Sequence, residues 1–546
     1  MDLPWLPIGL SSVAGSFVLV HNAPQYSISA SYVKTFLVLE TIQILLGLLW
    51  EAILYPKLFS PIRHLPQPKG GSFFNGQLKR ISAEPTGEPH RDWIKNVPND
   101  GLIYYTTILN QGRLLPTSPQ ALSEVLTTKS YDFIKPQQLR NGLGRVLGIG
   151  ILLAEGDEHK RQRKNLMPAF AYRHVKDLYP VFWEKSIKLV NGLMSVARKE
   201  GKESVESIDN AAMVDISGWF SRATLDIIGV AGMGHDFDAI DNPDTKINVT
   251  YRSVFSPSRQ QRTMALLGLF LPQWFLRALP VAHNNKIVES SNTIKEVCRE
   301  LIREKKEKLD QKQKRVDADI LSVALESGVF TEEDLVNQMM TFLAAGHETT
   351  ASAMTWAFYL LCLHPEVQTR LREEIRANLP PIDDTETVTA ASLDQCHYLH
   401  AVCNEVLRVY SPVPGTIREA GRDTSILGQY VPKGTKIMLI PWAVNTATSL
   451  WGPDADKFNP DRWMGPGKAN TGGAESNYAF LTFLHGPRSC IGQAFAKAEF
   501  ACLMAAVVGR FEVKIADADF KLKIKGSITA KPKNGLTVRI KPIEGW

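Results

Sequence analysis

Apolar residues follow three different patterns along this chain, and each pattern predicts different elements. At the N-terminus they are nearly continuous. Residues 5–20 form a short apolar stretch interrupted by Pro7, and residues 36–55 (FLVLETIQILLGLLWEAILY) form a second. At helical rise, twenty residues cross about 30 Å of hydrocarbon. Glu40, Gln43 and Glu51 break the second run, so an amphipathic helix lying on a membrane surface competes with a span of about 36–55. Pro61, Pro66, Pro68, Gly70 and Gly71 then resist any helix and predict a linker over 57–71. From about 157 to 380 apolar residues recur three and four apart, which predicts a mainly helical body. Ahead of it, 103–105 and 113–115 flank a turn at Asn110-Gln111-Gly112 and predict a hairpin, and 118–127 predicts a helix. After Pro412 strand signals return at 436–440 and 535–540, with a last helix over 493–511.

Two stretches inside the body stand apart. Residues 263–280 form a second apolar island, either a core helix pair broken at Pro272 or a surface that dips into a membrane. The charged run 304–317 predicts a solvated helix end, and no internal repeat is present.

The chain has 546 residues, is 44% hydrophobic and carries a formal charge of +6, enough apolar material for a large core and too little charge to suggest nucleic acid. Its six cysteines form no Cys-x-x-Cys pair, which argues against a zinc site and a disulfide framework. No Lys or Arg precedes Lys34, whereas Lys57, Arg63, His64 and Lys69 follow the second apolar run. Positive charge stays cytoplasmic, so the bulk of the chain is expected on the cytosolic side whether one segment spans or two. Asp2 in place of a basic start argues against a cleaved signal peptide.

Candidate chemistry concentrates near the C-terminus. In Phe483-Leu484-His485-Gly486-Pro487-Arg488-Ser489-Cys490-Ile491-Gly492, one cysteine lies between two glycines just ahead of a helix. The glycines let the backbone bend closely around the sulfur. The helix amides and Arg488 favour a thiolate, a soft and charged ligand for iron, against the alternative of a buried structural thiol. Ala345-Gly346-His347-Glu348-Thr349-Thr350 follows a helical run that starts near 332. Its small residues let a helix press on a flat group, and Thr349 can bond back to the carbonyl of residue 345. Glu348 and Thr349 form an acid–alcohol pair suited to proton delivery; the alternative is a helix crossing with a surface glutamate. Glu405 and Arg408, three apart, share a helix face, as do His159 and Arg163, four apart.

Phe-x-x-Gly-x-Arg-x-Cys-x-Gly resembles the haem-binding signature of the cytochrome P450 family, and all five fixed positions match. Ala345–Thr350 resembles that family's oxygen-activation motif. Glu405-Val406-Leu407-Arg408 with Phe458-Asn459-Pro460-Asp461-Arg462-Trp463 resembles its buried structural network. The resemblance covers about 60–546. It implies a mainly α fold, a large helical domain with a small β-rich lobe around a buried haem. Residues 1–56 would form a membrane anchor, 57–71 a linker and 72–546 the catalytic domain. Cys490 would ligate the iron of haem b, and Glu348 and Thr349 would deliver protons. His159, Arg163, Arg418 and Arg488 would hold the propionates.

The activity so implied is monooxygenation of a lipophilic small molecule, by hydroxylation or epoxidation, with electrons from a membrane-bound NADPH-cytochrome P450 reductase. The pocket would be lined by the loop 133–152, the island 263–280 and Val413–Ile417. Lys160, Arg161, Lys164 and Lys497 would offer the donor a basic surface or else form a solvated face. The location implied is the endoplasmic reticulum membrane, and the linker has a fungal look. Secondary-metabolite tailoring, sterol or fatty-acid hydroxylation and detoxification all suit this chemistry. Two rivals are a haem-thiolate isomerase or dehydratase working without a reductase and a non-catalytic haem-binding sensor. The intact acid–alcohol pair weighs against both.

Overall fold

The computed structural model describes residues 5–546 except 204–210, 255–259, 261–262, 265–266, 269–270, 272, 311–318, 383–387 and 527. Two N-terminal helices, α1 (Trp5–Asn22) and α2 (Tyr32–Leu49), lie side by side. Pro7 does not interrupt α1, because it falls in the first turn, where backbone N–H groups lack helical partners anyway. Gln43 turns toward α1. Its Oε1 accepts from Ser11 Oγ at 2.8 Å and its Nε2 donates to Ser12 Oγ at 3.0 Å. The helix of α2 continues as a π-helical segment, Trp50–Phe59, and runs through Lys57 into the expected linker. Tyr32–Phe59 is, among the described residues, the one helix long and apolar enough to cross a membrane. Asn110 Nδ2 donates to the Ala52 carbonyl at 2.7 Å, tying the helix end to the body.

The β-rich lobe holds a five-stranded sheet built from β1 (Leu102–Thr106), β2 (Gly112–Pro116), β3 (Phe133–Ile134), β4 (Thr416–Ala420) and β5 (Lys436–Leu439). Their order is β1-β2-β5-β4-β3, with the expected hairpin in register Ile103↔Leu115. The predicted helix over 118–127 forms as Pro119–Ser123 with a π-helical continuation, Glu124–Thr128, started by the Ser118 cap. A separate sheet pairs the C-terminal strand Thr537–Pro542 with Phe511–Ile515 and with Ala212–Asp215. That last strand interrupts the region expected to be helical. Its four alternating residues are too short a pattern to stand out between long helices.

The helical body contains α3 (Glu88–Asn96), α4 (Gly156–Leu166), α5 (Tyr179–Glu203), α6 (Ile216–Met233), α7 (Ala282–Asp310), α8 (Glu332–Leu363), α9 (Pro365–Asn378), α10 (His397–Val409) and α11 (Gln493–Arg510). A capping box between Thr331 and Asp334 starts α8, which runs roughly 48 Å through the core at 1.5 Å per residue. Most of α8 is buried, but Ala345 is exposed and Gly346 and Thr349 are half-buried midway along it. The apolar island 263–280 lies partly outside the described residues; its described end is a helix, Gln273–Ala278, with Leu276 buried and Phe275 exposed. The charged run 304–317 is helical to Asp310, and its remainder lies outside the described residues.

Helix α3 packs on β1 through aromatic contacts. The buried His90 ring meets Trp93 at 4.9 Å and Tyr105 at 5.5 Å, and its Nε2 lies 3.1 Å from Tyr105 Oη. Burial, helped by Arg113, pushes the His90 pKa down to about 4. The folded protein therefore holds His90 neutral while the unfolded chain protonates near pH 6.5. Stability from this site is fully present above pH 6.5 and falls as pH drops toward 4, by up to about 3 kcal/mol. His90→Gln is expected to flatten the stability loss in that window, checked by urea unfolding at a series of pH values; an unchanged slope contradicts it.

Candidate active site

The cysteine loop is held by two positive-φ residues, Leu484 at 55° and Gly486 at 75°. A Cβ on Gly486 would collide with the Leu126 carbonyl, so glycine is needed there for both angle and space. Gly492 differs from the expectation: its φ is −89°, and a Cβ there would meet only Phe170, at an ordinary 3.7 Å. The Cys490 N–H donates to the Phe483 carbonyl at 2.9 Å, and the Gly492 N–H points at the sulfur from the head of α11. Cys490 is exposed on one side and surrounded by protein on the others. Desolvation raises its thiol pKa; the Gly492 N–H and Arg163 pull the other way without winning. The helix-head amide thus acts in the expected direction, toward a thiolate, and Arg163 acts with it. A metal at the sulfur deprotonates such a thiol outright.

Behind the loop lies a fully buried ion pair on α10. Arg408 Nε and Nη2 donate to Glu405 at 2.8 and 2.7 Å, and its remaining donors take the carbonyls of Asn445, Ala455 and Lys457. Glu405 also accepts from the Asn459 N–H and from Trp463 Nε1. Arg462 lies 3.7 Å from Glu405 and pairs more closely with Asp454, at 2.6 Å. Asn445 carries the network onward. It donates to Arg408 O and Thr482 Oγ1 and accepts from the Leu481 N–H. Leu481 and Thr482 lead directly into the cysteine loop.

In front of the loop the fold gathers buried cations. Arg488 donates to the carbonyls of Ser130 and Phe133 and pairs with Glu155, while its Nε is buried without a partner. Lys135, 4.0 Å from Glu155, is pushed well below the usual lysine range by burial and by Arg418 and Arg488. Arg418, on β4, is pushed down to about 10 by burial and by Arg488. Arg163 reaches over from α4 to the Ser489 carbonyl at 2.6 Å, clamping the residue beside Cys490. His159 is buried, with Nδ1 3.2 Å from Tyr131 Oη. Burial and then the cluster's cations push its pKa down to about 4, so it offers a neutral ring. Three buried cations, Lys135, Arg418 and Arg488, thus surround one described carboxylate, Glu155, with the half-buried Arg163 beside the cysteine loop. That donor set, with an orphaned Arg488 Nε, suits a group bearing two carboxylates beside an accessible sulfur, and so fits haem. Sequence reasoning missed Lys135, Glu155 and Tyr131 because each lies in a loop with no local motif.

Helix α8 supplies the opposite wall. Thr349 Oγ1 donates to the Ala345 carbonyl at 2.7 Å, the back-bond anticipated from the sequence. Phe342, on the same face, meets the Phe170 ring at 5.5 Å, and Phe170 borders Gly492. This brings α8 within one aromatic ring of the cysteine loop. Gly346 is turned away from that face. A Cβ there would lie 2.9 Å from Ile228 of α6, so Gly346 serves the helix crossing, and Ala345 alone keeps the inner face bare. Glu348 is buried and accepts from Thr529 Oγ1 and Lys531 Nζ, both at 2.9 Å. Both partners come from the C-terminal hairpin, which Ser352 and Trp356 anchor by donating to the Ala530 carbonyl at 2.8 Å. No sequence signal linked 529–531 to Glu348, 181 residues away.

The basic surface expected for an electron donor is weaker than its residues suggest. Lys160 pairs with Asp157 at 2.8 Å and Arg161 with Glu158 at 2.7 Å, on their own helix. Lys497 is half-buried over the rings of Phe480 and Phe483. Lys164 remains exposed.

The family model for cytochrome P450 matches residues 66–539, and the chain belongs to that family. Among curated relatives it is similar to cytochrome P450 monooxygenase sphH of Aspergillus fumigatus, 46% identical over 96% of this chain and 97% of the relative. It is 45% identical to cytochrome P450 monooxygenase FUM15 of Gibberella moniliformis, over 90% of each chain. It is 42% identical to cytochrome P450 monooxygenase ALT8 of Alternaria alternata, over 91% of this chain and 92% of the relative. These likenesses make the protein an oxidoreductase of the monooxygenase type, in a family whose cofactor is haem with a thiolate ligand.

Glu405→Gln leaves Arg408 buried without its counter-charge. A loss of about 3–5 kcal/mol is expected, enough to cut the yield of folded holoenzyme sharply. Urea unfolding and haem content per chain measure it; wild-type values for both contradict the buried network.

Proposed function

We propose that Cys490 is the axial ligand of haem b, that Lys135, Arg418 and Arg488 face its propionates, and that Arg163 and His159 steady the loop and the rim. The observation that carries this reading is the cluster of three buried cations around Glu155, beside an accessible cysteine sulfur. Bound haem would supply one-electron and dioxygen chemistry, with the Cys490 sulfur as the residue that holds its iron.

The protein's own part is to deliver protons and exclude water. By donating to the Ala345 carbonyl, the Thr349 hydroxyl leaves its lone pairs free to receive a proton. Glu348, fixed by Thr529 and Lys531, stands next to it, and the half-exposed Lys531 gives that carboxylate an edge toward solvent. Protons pass from solvent to Glu348 and on by way of Thr349, as cleavage requires. An isomerase, a dehydratase or a sensor has no need of this pair, so its geometry favours monooxygenation over those rivals.

The substrate we propose is a lipophilic small molecule that is hydroxylated or epoxidised, with secondary-metabolite tailoring as the setting. The anchor ends with its helix at Phe59 rather than at residue 56, the linker follows to residue 71, and 72–546 form the catalytic domain, facing the cytosol from the endoplasmic reticulum membrane. Electrons come from NADPH-cytochrome P450 reductase.

Cys490→Ala is expected to abolish the thiolate-type absorption of the reduced carbon monoxide complex, and retention of that band overturns the ligand assignment. Thr349→Ala is expected to keep haem yet raise hydrogen peroxide released per NADPH several-fold with reductase present. Unchanged coupling removes Thr349 from the relay.

A further inference from the structure

A cavity of about 620 Å3 lies between the end of the Tyr32–Phe59 helix, the proline-rich segment after it and the β1–β2 hairpin. None of its fourteen lining residues is acidic, and three of them are Lys57, Arg63 and His64. All three are exposed at its rim, Lys57 with its ammonium 3.5 Å from the Phe73 ring centroid. At the cavity wall Gln77 is 4% exposed. Its Nε2 donates to the carbonyls of Pro68 at 2.9 Å and Lys69 at 3.1 Å, which fixes the amide orientation. Its Oε1 is then left buried with no partner. A buried acceptor without a donor is costly, so the wall is shaped for a ligand that brings an N–H or O–H.

The position is as telling as the chemistry. Pro56 and Lys57 belong both to the cavity and to the last turn of the apolar helix. Leu58, Phe59, Phe73 and Phe74 are all more than half exposed around it. Exposed apolar side chains beside cations at the end of a span suit the boundary between hydrocarbon and anionic headgroups.

We propose that this cavity binds the headgroup of a glycerophospholipid. The phosphate meets Lys57, Arg63 and His64, and an inositol hydroxyl or a primary ammonium donates to Gln77 Oε1. The inference rests on reading Tyr32–Phe59 as the anchor. Phosphatidylcholine has the phosphate but no N–H or O–H on its headgroup, so it fills only half the site. A soluble phosphate shares the anionic chemistry, and the test separates the two sources.

Full-length holoenzyme in detergent is titrated with phosphatidylinositol, phosphatidylethanolamine or phosphatidylcholine, and retained lipid is counted by native mass spectrometry. One phosphatidylinositol or phosphatidylethanolamine per chain is expected at concentrations where phosphatidylcholine is lost. Arg63→Gln should cut that retention at least fivefold with the haem spectrum unchanged, and Gln77→Leu should erase the preference over phosphatidylcholine. Equal retention of all three lipids, or wild-type retention by Arg63→Gln, overturns the proposal. So does thermal protection by inorganic phosphate at matched ionic strength with no lipid retained, which assigns the donors to a soluble anion. Alkaline extraction of membranes is run alongside. Failure of lipid retention with the chain still membrane-embedded strikes the headgroup site alone, whereas release into the supernatant strikes the anchor reading.

Discussion

Lys135, Arg418 and Arg488 are held largely out of water around a single described carboxylate, Glu155. Removing charges from water costs roughly several kcal/mol for each ion unless counter-charge returns it. Here burial and mutual repulsion depress Lys135 and Arg418, so Glu155 does not balance them. The arrangement makes physical sense as one half of a site whose other half is anionic. Two carboxylates on a ligand seated beside Cys490 complete the balance.

Such a site needs a frame that does not yield. Arg408 and Glu405 provide one side, because each is fully buried and every Arg408 donor direction is used. Asn445 passes that rigidity into residues 481–482 and so to the cysteine loop. The long helix α8 provides the other side. Its inner face stays bare at Ala345, its outer face is drawn close to α6 at Gly346, and the C-terminal hairpin pins Glu348. Proton delivery and cofactor binding therefore depend on elements from 130 to 531 meeting in one place.

The parts of this arrangement legible in the sequence are those encoded within one turn or one helix. The cysteine motif, the Thr349 back-bond and the Glu405–Arg408 spacing are local, and each has a steric or hydrogen-bonding signature that survives without the fold. The hairpin at 102–116 was legible for the same reason. Lys135, Glu155, Tyr131, Thr529 and Lys531 were not, because each acquires its role through a partner far away in the chain. Local reasoning also misjudged one residue. Gly346 looked like part of the inner face, but the helix rotation turns it toward Ile228.

The central claim is that the buried cations await carboxylates. Binding of haem to the apoprotein, compared with binding of haem dimethyl ester, tests this most directly, since the ester keeps the ring and iron and removes only the two negative charges. The account predicts that the ester binds at least a hundredfold more weakly, with the difference shrinking when Arg488 is replaced by glutamine. Equal affinity for the two would contradict it.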